Sequence, residues 1–175
     1  MTREEIDAMQ ARLHALEEKV QVLDLFQLEA EYARRWDFGD GAQWAAVFTP
    51  DGVFEMAEIR NVAPLSGSGA MRLEGRDALA AYRDSFSAEW HFLHLFHLSS
   101  FRVRGDRAES VVFFESPVKA TDAEGRAMFV RMTGVYRVDY RLTDEGWRMA
   151  KRIELPRTND MLTQFKPHVM PGFTI

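Results

Sequence analysis

Apolar residues near the amino terminus recur at Ile6, Met9, Leu13, Leu16, Val20 and Leu23, with spacings of 3, 4, 3, 4 and 3. That is a helical period drawn as a narrow seam, the pattern of a coiled coil rather than of a broad core face. Thr2 followed by Glu5 forms a capping-box sequence that predicts the helix start. Between the seam positions, Arg3, Glu4, Arg12, Glu17, Glu18 and Lys19 make a solvated face. A seam of this kind packs along its own domain or against another chain. A second copy, giving a homodimer or higher homo-oligomer, is the leading expectation.

The periodicity continues through Leu25, Phe26 and Leu28 to about Trp36 and breaks at Phe38-Gly39-Asp40-Gly41. A short second helix carrying Trp44, Val47 and Phe48 is predicted next. Thr49-Pro50-Asp51-Gly52 then reads as a turn and Val53–Met56 as a strand. Residues 60–75, rich in glycine and serine, predict a loop long enough to be a flap. A third helix is expected over Arg76–Ser87, with Ala78, Leu79, Tyr82 and Phe86 on its apolar side.

From His91 onward the period changes to that of strands, at about 91–104, 107–118, 126–141 and 146–155, separated by glycine-bearing turns. In the third, Met128, Val130, Met132, Gly134, Tyr136, Val138 and Tyr140 share one side, whereas Arg131, Thr133, Arg137, Asp139 and Arg141 share the other. Short hairpins imply antiparallel pairing, and the preceding helices are the available cover for the apolar face. The prediction is one α+β domain over 1–175, in which 1–24 is a helical extension and 158–175 a tail that closes over a pocket.

With 175 residues, 46% of them hydrophobic, the chain can bury a single core. A net charge of −5 and a pI near 5.6, without a basic run, argue against nucleic acid. No cysteine is present, so packing alone must hold the fold. The first residues lack the apolar run of a signal peptide or membrane span, and a soluble cytoplasmic protein is expected. Neither a Rossmann nor a P-loop glycine pattern occurs, which removes the usual warrant for a nucleotide cofactor.

The candidate chemistry lies in Tyr32, Asp37 and a histidine cluster at His91, His94 and His97. A phenol, a carboxylate and an imidazole suffice for proton transfer if the fold brings them together. Tyr32 and Asp37 are five apart, about 140° around a helix, so sharing one wall requires an unwound helix end or a wide pocket. Strict alternation groups His97 with Phe101 and Val103 on the buried face and His94 with Arg102 and Arg104; a β-bulge between residues 95 and 100 would reverse this. The alternation also points His91 and His97 away from His94, so no metal is expected. His14 and His168 carry no functional reading. Arg131, Arg137 and Arg148 read as a solvated sheet face, and Glu115 has no assignable partner. The many methionines and phenylalanines suit core packing and a hydrophobic polycyclic ligand such as a steroid or polyketide.

Several segments together resemble a known family: Tyr32, four residues and Asp37; Trp44; Phe48-Thr49-Pro50-Asp51-Gly52-Val53-Phe54; Gly75-Arg76-Asp77-Ala78; His91-Phe92-Leu93-His94; and Gly134-Val135-Tyr136-Arg137-Val138-Asp139. Over roughly residues 15–155 the chain resembles the SnoaL-like branch of the NTF2-like superfamily. The resemblance implies a cone, in which a curved, mostly antiparallel sheet wraps around three helices and leaves a deep apolar pocket. Members include scytalone dehydratase, polyketide cyclases, ketosteroid isomerase and bile-acid dehydratase, and others only bind ligands. By similarity to the bile-acid dehydratase pattern, Tyr32, Asp37 and His94 correspond to catalytic residues, with His97 second of the histidine pair. An arginine is implied beyond the last strand, with Arg157 the first candidate and Arg152 its competitor. The implied function is cofactor-independent lyase, isomerase or cyclase chemistry, dehydration first, on a small hydrophobic substrate. A binding-only domain and a structural protein like the small subunit of ring-hydroxylating dioxygenases are the alternatives.

Overall fold

The computed structural model describes residues 1–57, 70–86, 90–121, 125 and 127–162. Helix α1 (Arg3–Phe38) starts as the sequence requires: the Thr2 hydroxyl accepts from the Glu5 amide and the Glu5 carboxylate accepts from the Thr2 amide. It has two unlike halves. Met9, Leu13, Leu16, Val20 and Leu23 are each more than half exposed, whereas Leu25, Leu28, Glu29, Tyr32 and Trp36 are buried. The helix stays regular to Phe38, without the early unwinding that would have rotated Asp37 toward Tyr32, and Gly39 caps it in an extended conformation.

Asp40 then N-caps the short helix α2 (Gly41–Ala45), its carboxylate accepting from the Gln43 amide. Helix α2 ends before Phe48, which starts strand β1 (Phe48–Met56). The expected turn at Thr49–Gly52 is therefore an irregularity inside a strand: the register against the last strand jumps between Phe48 and Val53. Strand β2 (Met71–Glu74) pairs antiparallel with β1 in what was expected to be loop. The flap expected there falls mostly on residues 58–69, outside the described residues. Helix α3 (Arg76–Asp84) seats against α2, where Gly41 lets the backbones meet: a Cβ at that position would lie 2.1 Å from the Ala80 carbonyl oxygen.

Strands β3 (His91–Phe92), β4 (Leu95–Arg104), β5 (Arg107–Thr121), β6 (Ala127–Thr143) and β7 (Gly146–Leu162) complete a seven-stranded sheet of order β2-β1-β7-β6-β5-β3, with β4 also on β5. The meander from β3 to β7 is antiparallel as predicted, but β1 joins β7 in parallel, so the sheet is mixed. Val112, Phe114, Tyr136, Val138, Tyr140 and Met149 are buried on its inner face, while Arg131, Arg137 and Asp139 alternate outward. The sheet curls around α1 as a half-barrel, the NTF2-like cone. Its tight bend passes through Gly134, where a Cβ would lie 2.5 Å from the Leu155 carbonyl oxygen and 2.8 Å from the Phe114 ring. The tail expected to close over the pocket lies, from residue 163 on, outside the described residues. Among the described residues no helix is long and apolar enough to cross a membrane.

Candidate active site

His94 sits between β3 and β4 on the sheet edge, where the register to β5 continues unchanged and Leu93 N–H donates to the Pro117 carbonyl. Its backbone amide, turned to the open edge, donates to Asp37 Oδ2 at 2.8 Å, and its ring Nδ1 lies 2.6 Å from Asp37 Oδ1. Asp37 thus grips the residue by main chain and side chain together, across 57 positions of sequence. The two side chains are 6% and 3% exposed. A carboxylate only accepts, so Nδ1 carries the hydrogen and Nε2 is left with the lone pair.

Aromatic rings fix the imidazole from three sides. Tyr32, Trp36 and Phe96 each place a ring centroid 6.1 Å from it at a steep angle. Tyr32 is 1% exposed, and burial pushes its phenol well above the ordinary tyrosine range. Tyr32 and Asp37 do not share one face of α1; His94 spans the difference by lying between them. Met56, Met71, Leu73, Tyr82, Phe86, Phe92, Phe96 and Met132 pack on the same core while remaining partly exposed.

The register of β4 decides among the histidines. Phe92, His94 and Phe96 turn inward, then a shift between Phe96 and Ser99 changes phase, so that Phe101 and Val103 also face the core. Simple alternation back from Phe101, which favours His97, fails at this bulge. His97 is 56% exposed on the outer face, 3.9 Å from Glu115, and His91 is exposed opposite Lys119. Glu115 does have a partner, accepting from Arg131 at 2.7 and 3.0 Å. Arg157 is exposed and lines an outer groove with His97 and Phe113. None of His91, His97 or Arg157 joins the Asp37–His94 pair.

Arg152 is the arginine that reaches the interior. Its guanidinium carbon lies 3.8 Å from the ring centroids of both Tyr32 and Tyr136, and Nη1 donates to Glu29 Oε1 and Oε2 at 2.9 and 2.8 Å. Glu29 also accepts from the Tyr140 hydroxyl, which is 2.7 Å from Ser110 Oγ. This chain of polar groups ties α1 to β5, β6 and β7 immediately behind Tyr32. Arg152 Nε and Nη2 have no hydrogen-bond partner.

Glu154, two residues on, is buried on the same strand face, and its Oε1 has no hydrogen-bond partner. Burial raises its carboxyl, against the opposing pull of Arg152, to about 7. Its charge adds to the upward push on the phenols of Tyr32, Tyr82 and Tyr136.

Glu29, Arg152 and Glu154 escape a reading by pattern, for a physical reason. In β7 the alternation Trp147, Met149 is broken by the extra residue Ala150, since Tyr140 faces Met149 while Asp139 faces Lys151. The phase flips, and Arg152 and Glu154 turn inward in place of Lys151 and Ile153. The available signal was Glu29, an acid at a position that completes the helical stripe of Leu25, Leu28, Tyr32 and Trp36.

The SnoaL-like domain profile matches residues 15–153. The fold is similar to that of a Mycobacterium tuberculosis protein of unknown function, Rv3472, at 26% identity and a TM-score of 0.64 over 82% of this chain and 75% of that one. An NTF2-like protein from Novosphingobium aromaticivorans aligns at 23% identity and 0.59, covering 92% of each chain. A hexachlorocyclohexane dehydrochlorinase, LinA type 2, aligns at 14% identity and 0.65 over 93% of this chain and 99% of that one. No curated protein sequence matches the chain.

Proposed function

This chain belongs to the SnoaL-like domain family of the NTF2-like superfamily, and on that footing we propose that it is a cofactor-independent lyase or isomerase of hydrophobic polycyclic substrates. Dehydration next to a carbonyl is the reaction the site fits best. The observation that carries this reading is the double grip of Asp37 on His94 inside an aromatic enclosure. A purely structural histidine needs no buried carboxylate on its ring nitrogen, whereas a base does: the carboxylate fixes the tautomer and stabilises the imidazolium as it forms.

In the proposed reaction His94 Nε2 takes a proton from the carbon beside the substrate carbonyl. The Tyr32 phenol, kept protonated by burial, donates to the carbonyl oxygen as enolate charge develops. The neutral carboxyl of Glu154 gives its proton to the departing hydroxyl, so that a C–H and a C–O bond break, a C=C bond forms and water leaves. Proton return from His94 to Glu154 through solvent restores the starting state. Two proton-transfer groups of opposite role favour elimination over simple binding. The dehydrochlorinase of the same fold is named for an elimination too, which supports the reaction class.

Asp37→Asn and His94→Ala, assayed on a panel of β-hydroxyketone steroids and aryl polyketides, are expected to lower turnover by roughly 10²–10⁴-fold. Wild-type rates in both variants would reject the pair as the catalytic centre.

A further inference from the structure

We infer that residues 6–23 of α1 form a parallel, two-stranded coiled coil with a second copy of this chain. Among the described residues nothing covers the apolar stripe on the first half of the helix. At 100° per residue the stripe of Ile6, Met9, Leu13, Leu16, Val20 and Leu23 lies about 135° around the axis from the stripe that packs on the sheet. Docking the lower half by Leu25, Leu28, Tyr32 and Trp36 therefore turns the seam outward, and five of its six residues are 55–65% exposed. A helix of this length without tertiary packing is marginal in water, and the Thr2–Glu5 capping box adds only about 1 kcal/mol.

The seam itself names the partner and its direction. Ile6, Leu13 and Val20 take the a positions of three heptads, and Met9, Leu16 and Leu23 the d positions. Two of the three a residues, Ile6 and Val20, are β-branched and two of the three d residues, Leu16 and Leu23, are leucine, the combination that favours two parallel strands. The flanking charges agree. Arg12 and Lys19 precede a residues, and Glu17 and Asp24 follow d residues. In a parallel pair in register, Arg12 meets the partner's Glu17 and Lys19 meets the partner's Asp24, twice each by symmetry. An antiparallel pair centred on the same seam would set Arg12 against the partner's Lys19. The sequence is complementary to itself in one direction only.

Because the chain has no cysteine, a single introduced thiol reports direction directly. Leu16→Cys at a d position is expected to give a disulfide-linked dimer on mild oxidation, and Glu18→Cys on the solvated face is not. Sedimentation of the full wild-type chain should give twice the 20.2 kDa chain mass. Leu13→Glu with Leu16→Glu should return it to the single mass with the circular-dichroism melt of the sheet retained. A wild-type monomer at tens of micromolar (on the order of an ordinary homodimer's affinity), a dimer that survives both substitutions, or equal cross-linking at positions 16 and 18 would each overturn the parallel seam.

Discussion

His94 owes its place to the open edge of the sheet. Leu93 N–H still donates to the Pro117 carbonyl and the register on β5 is the same before and after it, so alternation turns the His94 amide to the open edge, where one carboxylate, that of Asp37, takes it and also holds the ring. The Asp37→Asn variant keeps an acceptor for that amide but loses the charge, and is expected to retain its melting temperature within a few degrees while turnover falls. Glu154 makes a separate statement about pH. Its carboxyl is raised from 4.5 unfolded to about 7 folded, so the native state binds the extra proton between those values and stability falls as pH rises through the window. Arg152, Tyr32, Tyr82 and Tyr136, the groups its charge interacts with, do not titrate there. Denaturant titrations at pH 5 and pH 8 should show Glu154→Gln gaining about 3 kcal/mol on wild type at the higher pH relative to the lower. A difference independent of pH would mean that the carboxyl is not held neutral.

At the scale of elements, the sequence was most legible where period and burial agree. The α1 cap, the break at Gly39, the hairpins from β4 to β7 and the inward set Gly134, Tyr136, Val138 and Tyr140 all follow from pattern. It was least legible at irregularities that flip a strand's phase. The shift after Phe96 exchanges His97 for His94, and the one at Ala150 exchanges Lys151 and Ile153 for Arg152 and Glu154. A bulge depends on the partner strand, so no single strand's pattern contains it. Nor does α1 show by period why Glu29 is tolerated, because its partner lies 123 residues away. That pair also sets an expectation for stability. Arg152→Met should cost about 3–5 kcal/mol by leaving Glu29 buried and unpaired, and adding Glu29→Gln should recover part of it. Chemical unfolding of the single and double variants checks this, and additive losses would contradict the coupling. Gly134→Val should destabilise by about 1–3 kcal/mol through its clash with Leu155 and Phe114; an unchanged unfolding midpoint would count against the tight bend.

For the whole molecule, curvature turns separate sequence signals into one site. The curled sheet closes on the second half of α1, so that Tyr32 and Asp37 from the helix, His94 from the sheet edge and Arg152 from an inner strand come together. The seam proposed for assembly lies on the first half of the same helix and the residues proposed for chemistry on the second. The most direct test of the central claim follows enone absorbance in wild-type protein, Asp37→Asn and His94→Ala supplied with the β-hydroxyketone panel. Conjugated enone formed by wild type and slowed at least about a hundredfold in both variants, with ligand affinity unchanged, is the expected result. Ligand bound tightly by all three proteins with no enone formed by any would contradict it, leaving a binding protein in place of a catalyst.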